Sequence, residues 1–66
     1  MIKIRDYTNS EVLSLINDRI HSARDREILC ARFIDGLTYE GLAEKFDMSV
    51  RQIKRIVYKG RDRIFS

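Results

Sequence analysis

Leu37-Thr38-Tyr39-Glu40-Gly41-Leu42-Ala43-Glu44-Lys45-Phe46-Asp47-Met48-Ser49-Val50-Arg51-Gln52-Ile53-Lys54-Arg55-Ile56-Val57-Tyr58 is the stretch that decides the fold. Thr38 and Ser49 each stand just before a helical pattern. There a hydroxyl oxygen can accept a first-turn backbone N–H that has no partner inside the helix. After Thr38, Leu42, Ala43 and Phe46 form the apolar face of a short helix over Tyr39–Phe46. After Ser49, Val50, Ile53, Val57, Gly60 and Ile64 recur at spacings of three and four, which predicts a helix over Val50–Ile64 with a narrow apolar seam. The link between the two asks for a residue that tolerates positive φ, and Asp47 is among the few non-Gly types that do. Ala43, small and central in the first helix, lets the second approach closely at a steep angle.

The exposed face of the second helix carries Arg51, Gln52, Arg55, Tyr58, Lys59 and Asp62, with Lys54 and Arg61 along its edge. A bracing helix followed by a helix with an apolar back and a basic, hydrogen-bonding front is what a helix-turn-helix requires, here over residues 38–64. Arg51, Gln52 and Arg55 are the candidates for base edges, since Arg can grip guanine O6 and N7 and Gln can pair with adenine N6 and N7. Lys54, Lys59 and Arg61 suit phosphate contacts, which position without specifying; solubility alone would also account for them. Tyr58 either reaches a phosphate with its hydroxyl or packs on the helix surface. Thr38 and Ser49 are caps first, and can also present a hydroxyl or N–H to phosphate.

Upstream, Thr8 and Glu11 fit a capping box that opens a helix over Asn9–Ile20. Val12, Leu13, Ile16 and Ile20 share its apolar face, whereas Leu15 points away as part of a possible partner surface. Ser22, with Asp25 three residues on as a shorter version of the same box, opens a helix over Ala23–Ile34 that Asp35-Gly36 closes. Its apolar residues are Ile28, Leu29, Ala31 and Phe33; Arg24, Arg26, Glu27 and Arg32 surround the other face. The expected molecule is all-α: a small four-helix domain with a C-terminal helix-turn-helix and a long recognition helix. Residues 1–8 are read as a loose N-terminal arm and residues 9–66 as the helical DNA-binding domain. Its core should set Ile53 and Val57 against Leu42, Ala43 and Phe46, with Ile28, Leu29 and Phe33 closing the other side.

Sixty-six residues give room for one modest core. Charge is unevenly spread: residues 1–34 carry six basic and five acidic residues, residues 35–47 one and four, and residues 48–66 six and one. That points to a polyanionic partner for the last third, although a solvated basic helix face would also account for the asymmetry taken alone. No apolar run approaches the roughly 20 residues a membrane span needs, and the first residues lack a signal-peptide core. Cys30, the single cysteine, cannot form an internal disulfide and reads as a small core residue, consistent with a reducing, cytoplasmic setting. His21 has no ligand-spaced partner for a metal. No Gly-rich phosphate loop, nucleophile motif or carboxylate pair suggests an enzyme or a cofactor.

The segment Leu37 to Ser49, followed by Val50-Arg51-Gln52-Ile53-Lys54 and Val57-Tyr58, resembles the fourth conserved region of bacterial sigma factors. Arg24-Asp25-Arg26-Glu27-Ile28-Leu29 and Arg32-Phe33-Ile34-Asp35-Gly36 are similar to that family's preceding helix and its Gly-containing link. The resemblance runs from about Ser22 to Ile64, with departures: Gly41 stands where the family usually has an acidic residue, Asp47 where it usually has Gly, Ile56 where a basic or polar residue is common, and no Pro precedes Arg24. It implies a domain that binds the upstream promoter element and contacts core RNA polymerase. Sixty-six residues leave no room for the region with which sigma factors melt promoters, so, if this is the whole protein, a stand-alone region-4-like domain is expected. The LuxR-type response-regulator domain shares the Arg-Glu-Ile-Leu and Gly-Leu-Thr segments in similar form and is the nearest competitor. The function expected is therefore sequence-specific binding of double-stranded DNA in transcription regulation or initiation. The alternative is a protein-binding adaptor that docks on RNA polymerase or another regulator without reading DNA.

Overall fold

A computed structural model describes residues 7–65. Its elements are α1 (Asn9–Arg19), α2 (Ala23–Phe33), α3 (Tyr39–Lys45) and α4 (Val50–Ile64), and α4 packs against the other three. The all-α expectation holds. All four helices start where the caps predict; α1, α2 and α3 stop one residue short of the expected ends, because Ile20, Ile34 and Phe46 are C-caps. The expected arm over residues 1–8 lies outside the described residues through residue 6. Of its remaining two residues, Tyr7 packs against Phe65 with ring centroids 5.0 Å apart and the planes tilted by 50°, and Thr8 caps α1.

Local chemistry accounts for the helix ends. In α1 the capping box is complete: Glu11 N–H donates to Thr8 Oγ1 at 3.1 Å, and Thr8 N–H donates to Glu11 Oε1 at 3.0 Å. Ser22 accepts from Asp25 N–H at 3.3 Å, but the reciprocal half does not form. The Asp25 carboxylate lies instead against the Arg24 guanidinium, 3.4 Å away. Gly36 has φ of 76°, as a helix-closing Gly should. At the end of α3, Met48 N–H donates to Ala43 O at 2.9 Å and Asp47 N–H to Glu44 O at 3.4 Å. This is the Schellman arrangement, with Asp47 at φ 54° in the place usually taken by Gly.

One core joins the helices: Val12, Ile16 and Ile20; Ile28, Leu29 and Ala31; Leu42; and Ile53, Val57 and Ile64. Phe33, Ala43 and Phe46 pack against it partly buried, so the expected cluster is present. Among the described residues none of the buried side chains is polar or charged. The expected direction of α1 needs correction. Leu15 is half-buried against the core, and Leu13 is the residue left 42% exposed. The face that docks is Val12, Leu15 and Ile16, whose i, i+3, i+4 spacing forms one stripe.

Three arginines tie the elements together. Arg19 Nη1 donates to Arg63 O at 3.2 Å, reaching a carbonyl in the last turn of α4 from the far end of the chain. Arg26 Nη1 donates to Ile20 O at 2.8 Å and His21 O at 3.0 Å, which pins the α1–α2 junction. Arg32 Nη1 donates to Leu37 O at 2.8 Å across the α2–α3 link. Arg26 and Arg32 thus hold backbone carbonyls rather than merely solvating the outer face of α2. A further close approach lies between α2 and α4: a Cβ placed on Gly60 would stand 2.5 Å from Leu29 Cδ1 and 2.6 Å from Cδ2.

Candidate nucleic-acid interface

Helix α4 is presented by two local devices. The Asp47 turn sets where it begins, and Ser49 caps it with a complete box: Gln52 N–H donates to Ser49 Oγ at 3.1 Å, while Ser49 N–H donates to Gln52 Oε1 at 3.0 Å. Burial of Ile53, Val57, Gly60 and Ile64 then fixes its rotation. Arg51, Gln52, Lys54, Arg55, Tyr58, Lys59 and Arg61 are all turned outward and exposed. From Arg51 to Arg61 this face carries no carboxylate, and Asp62 is the first. At 1.5 Å per residue that basic run spans about 15 Å of helix, comparable to the roughly 12 Å width of the major groove.

The expected site residues differ in how available they are. Arg51 and Arg55 form no ion pair among the described residues, where the salt bridge found is Arg24–Asp25. Gln52 is committed: Ser49 Oγ–H also donates to its Oε1 at 3.2 Å, so the bidentate pairing with adenine would require opening the capping box. The Ser49 hydroxyl is occupied in both directions for the same reason. Thr38 Oγ1 accepts from Gly41 N–H at 3.0 Å and keeps its own proton to donate. Tyr58 remains 43% exposed. Lys59 and Arg55 line a groove of about 660 Å³ between the α1–α2 junction and the C-terminal half of α4. That groove also takes in Asp25 and Asp62, so its charge is mixed.

Sequence reasoning passed over Tyr39. Its ring lies under two cations, with Arg32 Cζ 4.4 Å and Lys54 Nζ 5.6 Å from its centroid. It meets Tyr58 edge-on with centroids 6.2 Å apart, and Arg61 Cζ lies 5.3 Å from the Tyr58 centroid. The two edges of α4 therefore differ: Lys54 and Arg61 rest on aromatic rings beside α3, whereas Lys59 borders the mixed groove. The sequence held one clue, a pair of tyrosines on otherwise polar helix faces, but pairing them needs the α3–α4 crossing.

The remaining chemistry-bearing residues are scattered. Cys30 is partly buried, and burial, with Asp35 and Glu27 nearby, pushes its thiol above the ordinary value, which keeps it protonated and poorly nucleophilic. Among the described residues no group of three or more His, Cys, Asp or Glu is placed to hold a metal ion. No described helix is long and apolar enough to cross a membrane.

The family model for sigma-70, region 4 matches residues 22–65, which takes in α2, α3 and α4 and leaves α1 outside the match. No curated protein and no solved structure matches the chain at a significant level.

Proposed function

The chain belongs to the sigma-70 region 4 family, a helix-turn-helix DNA-binding region of sigma factors, and we propose that it binds double-stranded DNA sequence-specifically in transcription initiation or regulation. The observation that carries this reading is the carboxylate-free basic face of α4 between Arg51 and Arg61, delivered by the turn at Asp47. Arg51 and Arg55, within about two turns of the cap, lie where a recognition helix reaches deepest and take the base edges. Gln52 joins them when duplex contact compensates for its box with Ser49. Lys54, Lys59 and Arg61 hold phosphates, Tyr58 supports the edge that carries Lys54 and Arg61, and Thr38 donates its hydroxyl to the DNA backbone on that side. Core RNA polymerase is the protein partner that family membership suggests, and the cytoplasm is the compartment.

The test separates specificity from affinity. A site is first selected from a randomised DNA pool. Arg55→Ala should then weaken binding to that site by about 1–3 kcal/mol while affecting random duplex less. Lys59→Ala should weaken both about equally and lower the salt slope by about one ion. If both substitutions act alike on selected and random duplex, α4 is an electrostatic footing and the sequence-reading role fails. The adaptor reading has one observation in its favour, the exposed Leu13 on a sparsely charged face of α1. A single apolar side chain is far less than the contiguous patch that marks a docking surface.

A further inference from the structure

Lys54 and Arg61 stand at one edge of α4, and each lies over an aromatic ring. We propose that Tyr39 is a positioning residue for DNA affinity, whose ring holds Lys54 directly, and Arg61 by way of Tyr58, in place for phosphate. The inference rests on the DNA-binding reading and concerns how that edge of the interface is organised. Tyr39 acts through these cations and not by touching a base.

The geometry gives each link a physical cause. Arg32 is tethered by its bond to Leu37 O at 2.8 Å, so the guanidinium 4.4 Å from the Tyr39 centroid is a fixed anchor for the ring. Tyr39 is half-buried against the core, which further limits its rotation. Lys54 Nζ, at 5.6 Å from the same centroid, is attracted by the negative face of a ring that cannot move away. A lysine on an exposed helix otherwise samples many rotamers, and ordering it on binding costs entropy. Resting on Tyr39, Lys54 meets part of that cost before DNA arrives.

Charge strengthens the case. Arg32 and Lys54 are like charges gathered at one ring, an arrangement that raises the positive potential along the α3 side of α4. The edge-on contact of Tyr39 with Tyr58 carries the order one step further, to the Arg61 guanidinium 5.3 Å from the Tyr58 centroid. Lys59 lies on the other side of the same helix, against the mixed-charge groove, and serves as the internal control.

The experiment measures anisotropy of a labelled duplex over a salt series for Tyr39→Phe, Tyr39→Leu, Lys54→Gln and the Tyr39→Leu/Lys54→Gln double variant. Tyr39→Phe keeps the ring and should bind as the parent does. Tyr39→Leu should weaken selected and random duplex alike by about two- to fivefold, the range expected for one exposed cation–ring contact. The loss should shrink in the Lys54→Gln background to the smaller part carried through Tyr58 to Arg61, which a purely structural role of Tyr39 would not produce. Parent-like binding by Tyr39→Leu, or an equal loss in both backgrounds, overturns the proposal. Should Tyr39→Leu fold poorly, the parent decides by NMR: Lys54 Hε protons should sit upfield of those of Lys59, and coincident shifts overturn the proposal. A parent that binds no duplex at any salt overturns the DNA-binding reading itself, an outcome distinct from all of these.

Discussion

Helices α1 and α4 both open on a complete capping box, Thr8 with Glu11 and Ser49 with Gln52, and both send branched residues at i and i+4 into the same core: Val12 and Ile16 from one, Ile53 and Val57 from the other. Their outer faces are unlike. That of α1 presents Ser10, Leu13, Ser14, Asn17 and Asp18; that of α4 presents Arg51, Lys54, Arg55, Tyr58, Lys59 and Arg61. Since the buried halves follow one recipe, the fold does not require the cations of α4. They are displayed on a scaffold that an uncharged face would equally complete. An excess of like charge on one helix slightly opposes folding, so its concentration there points to a partner.

The contrast breaks first if the inner faces are not the structural ones. Ile53→Ala should destabilise the domain by about 2–5 kcal/mol through lost burial and a residual cavity, enough to unfold a chain of this size. Calorimetry or thermal circular dichroism reads it directly, and a melting point equal to the parent's would mean that the seam of α4 is misassigned. Gly60→Ala should act in the same direction with a smaller effect. The new methyl meets Leu29, itself fully buried, and overpacking costs about 1–3 kcal/mol, offset by about 1 kcal/mol of improved helix propensity. A melting point at or above the parent's would show that Leu29 yields without cost. The smallest effect belongs to the outer face of α1. Leu13→Ala should change stability by no more than about 0.5 kcal/mol and leave duplex affinity unchanged. Loss of binding to RNA polymerase in that variant, with DNA binding intact, would show that α1 has a partner of its own and sharpen the contrast into two separate interfaces.

Reading α1 from sequence went astray at the point where this contrast lies. Leu13 and Leu15 sit on opposite sides of the Val12–Ile16 stripe, and helical spacing admits either as its third member. The choice depends on where α2 and α4 cover the stripe, which α1 alone does not encode. Gln52 presents a different kind of choice. Ser49-Val50-Arg51-Gln52 has the S-x-x-Q pattern of a capping box, so the commitment of its carbonyl was legible locally, but a Gln on a basic face also fits a base contact. Only geometry shows which use it makes in the unbound protein.

What the sequence by itself determined lies within short range: the four caps, the left-handed turn at Asp47, the closing Gly36, and the seam of α4. Each depends on hydrogen bonds or spacing between residues a few positions apart, and such terms act before any tertiary contact exists. What only the tertiary structure decided spans the chain. Arg19 reaches a carbonyl of α4 that is 44 positions away, Gly60 admits Leu29, and Tyr39 gathers Arg32, Lys54 and Tyr58 from separate helices. A long cationic side chain or an aromatic ring can satisfy many partners. Which one it takes depends on how the helices cross, and that crossing is set by the packing of all four together.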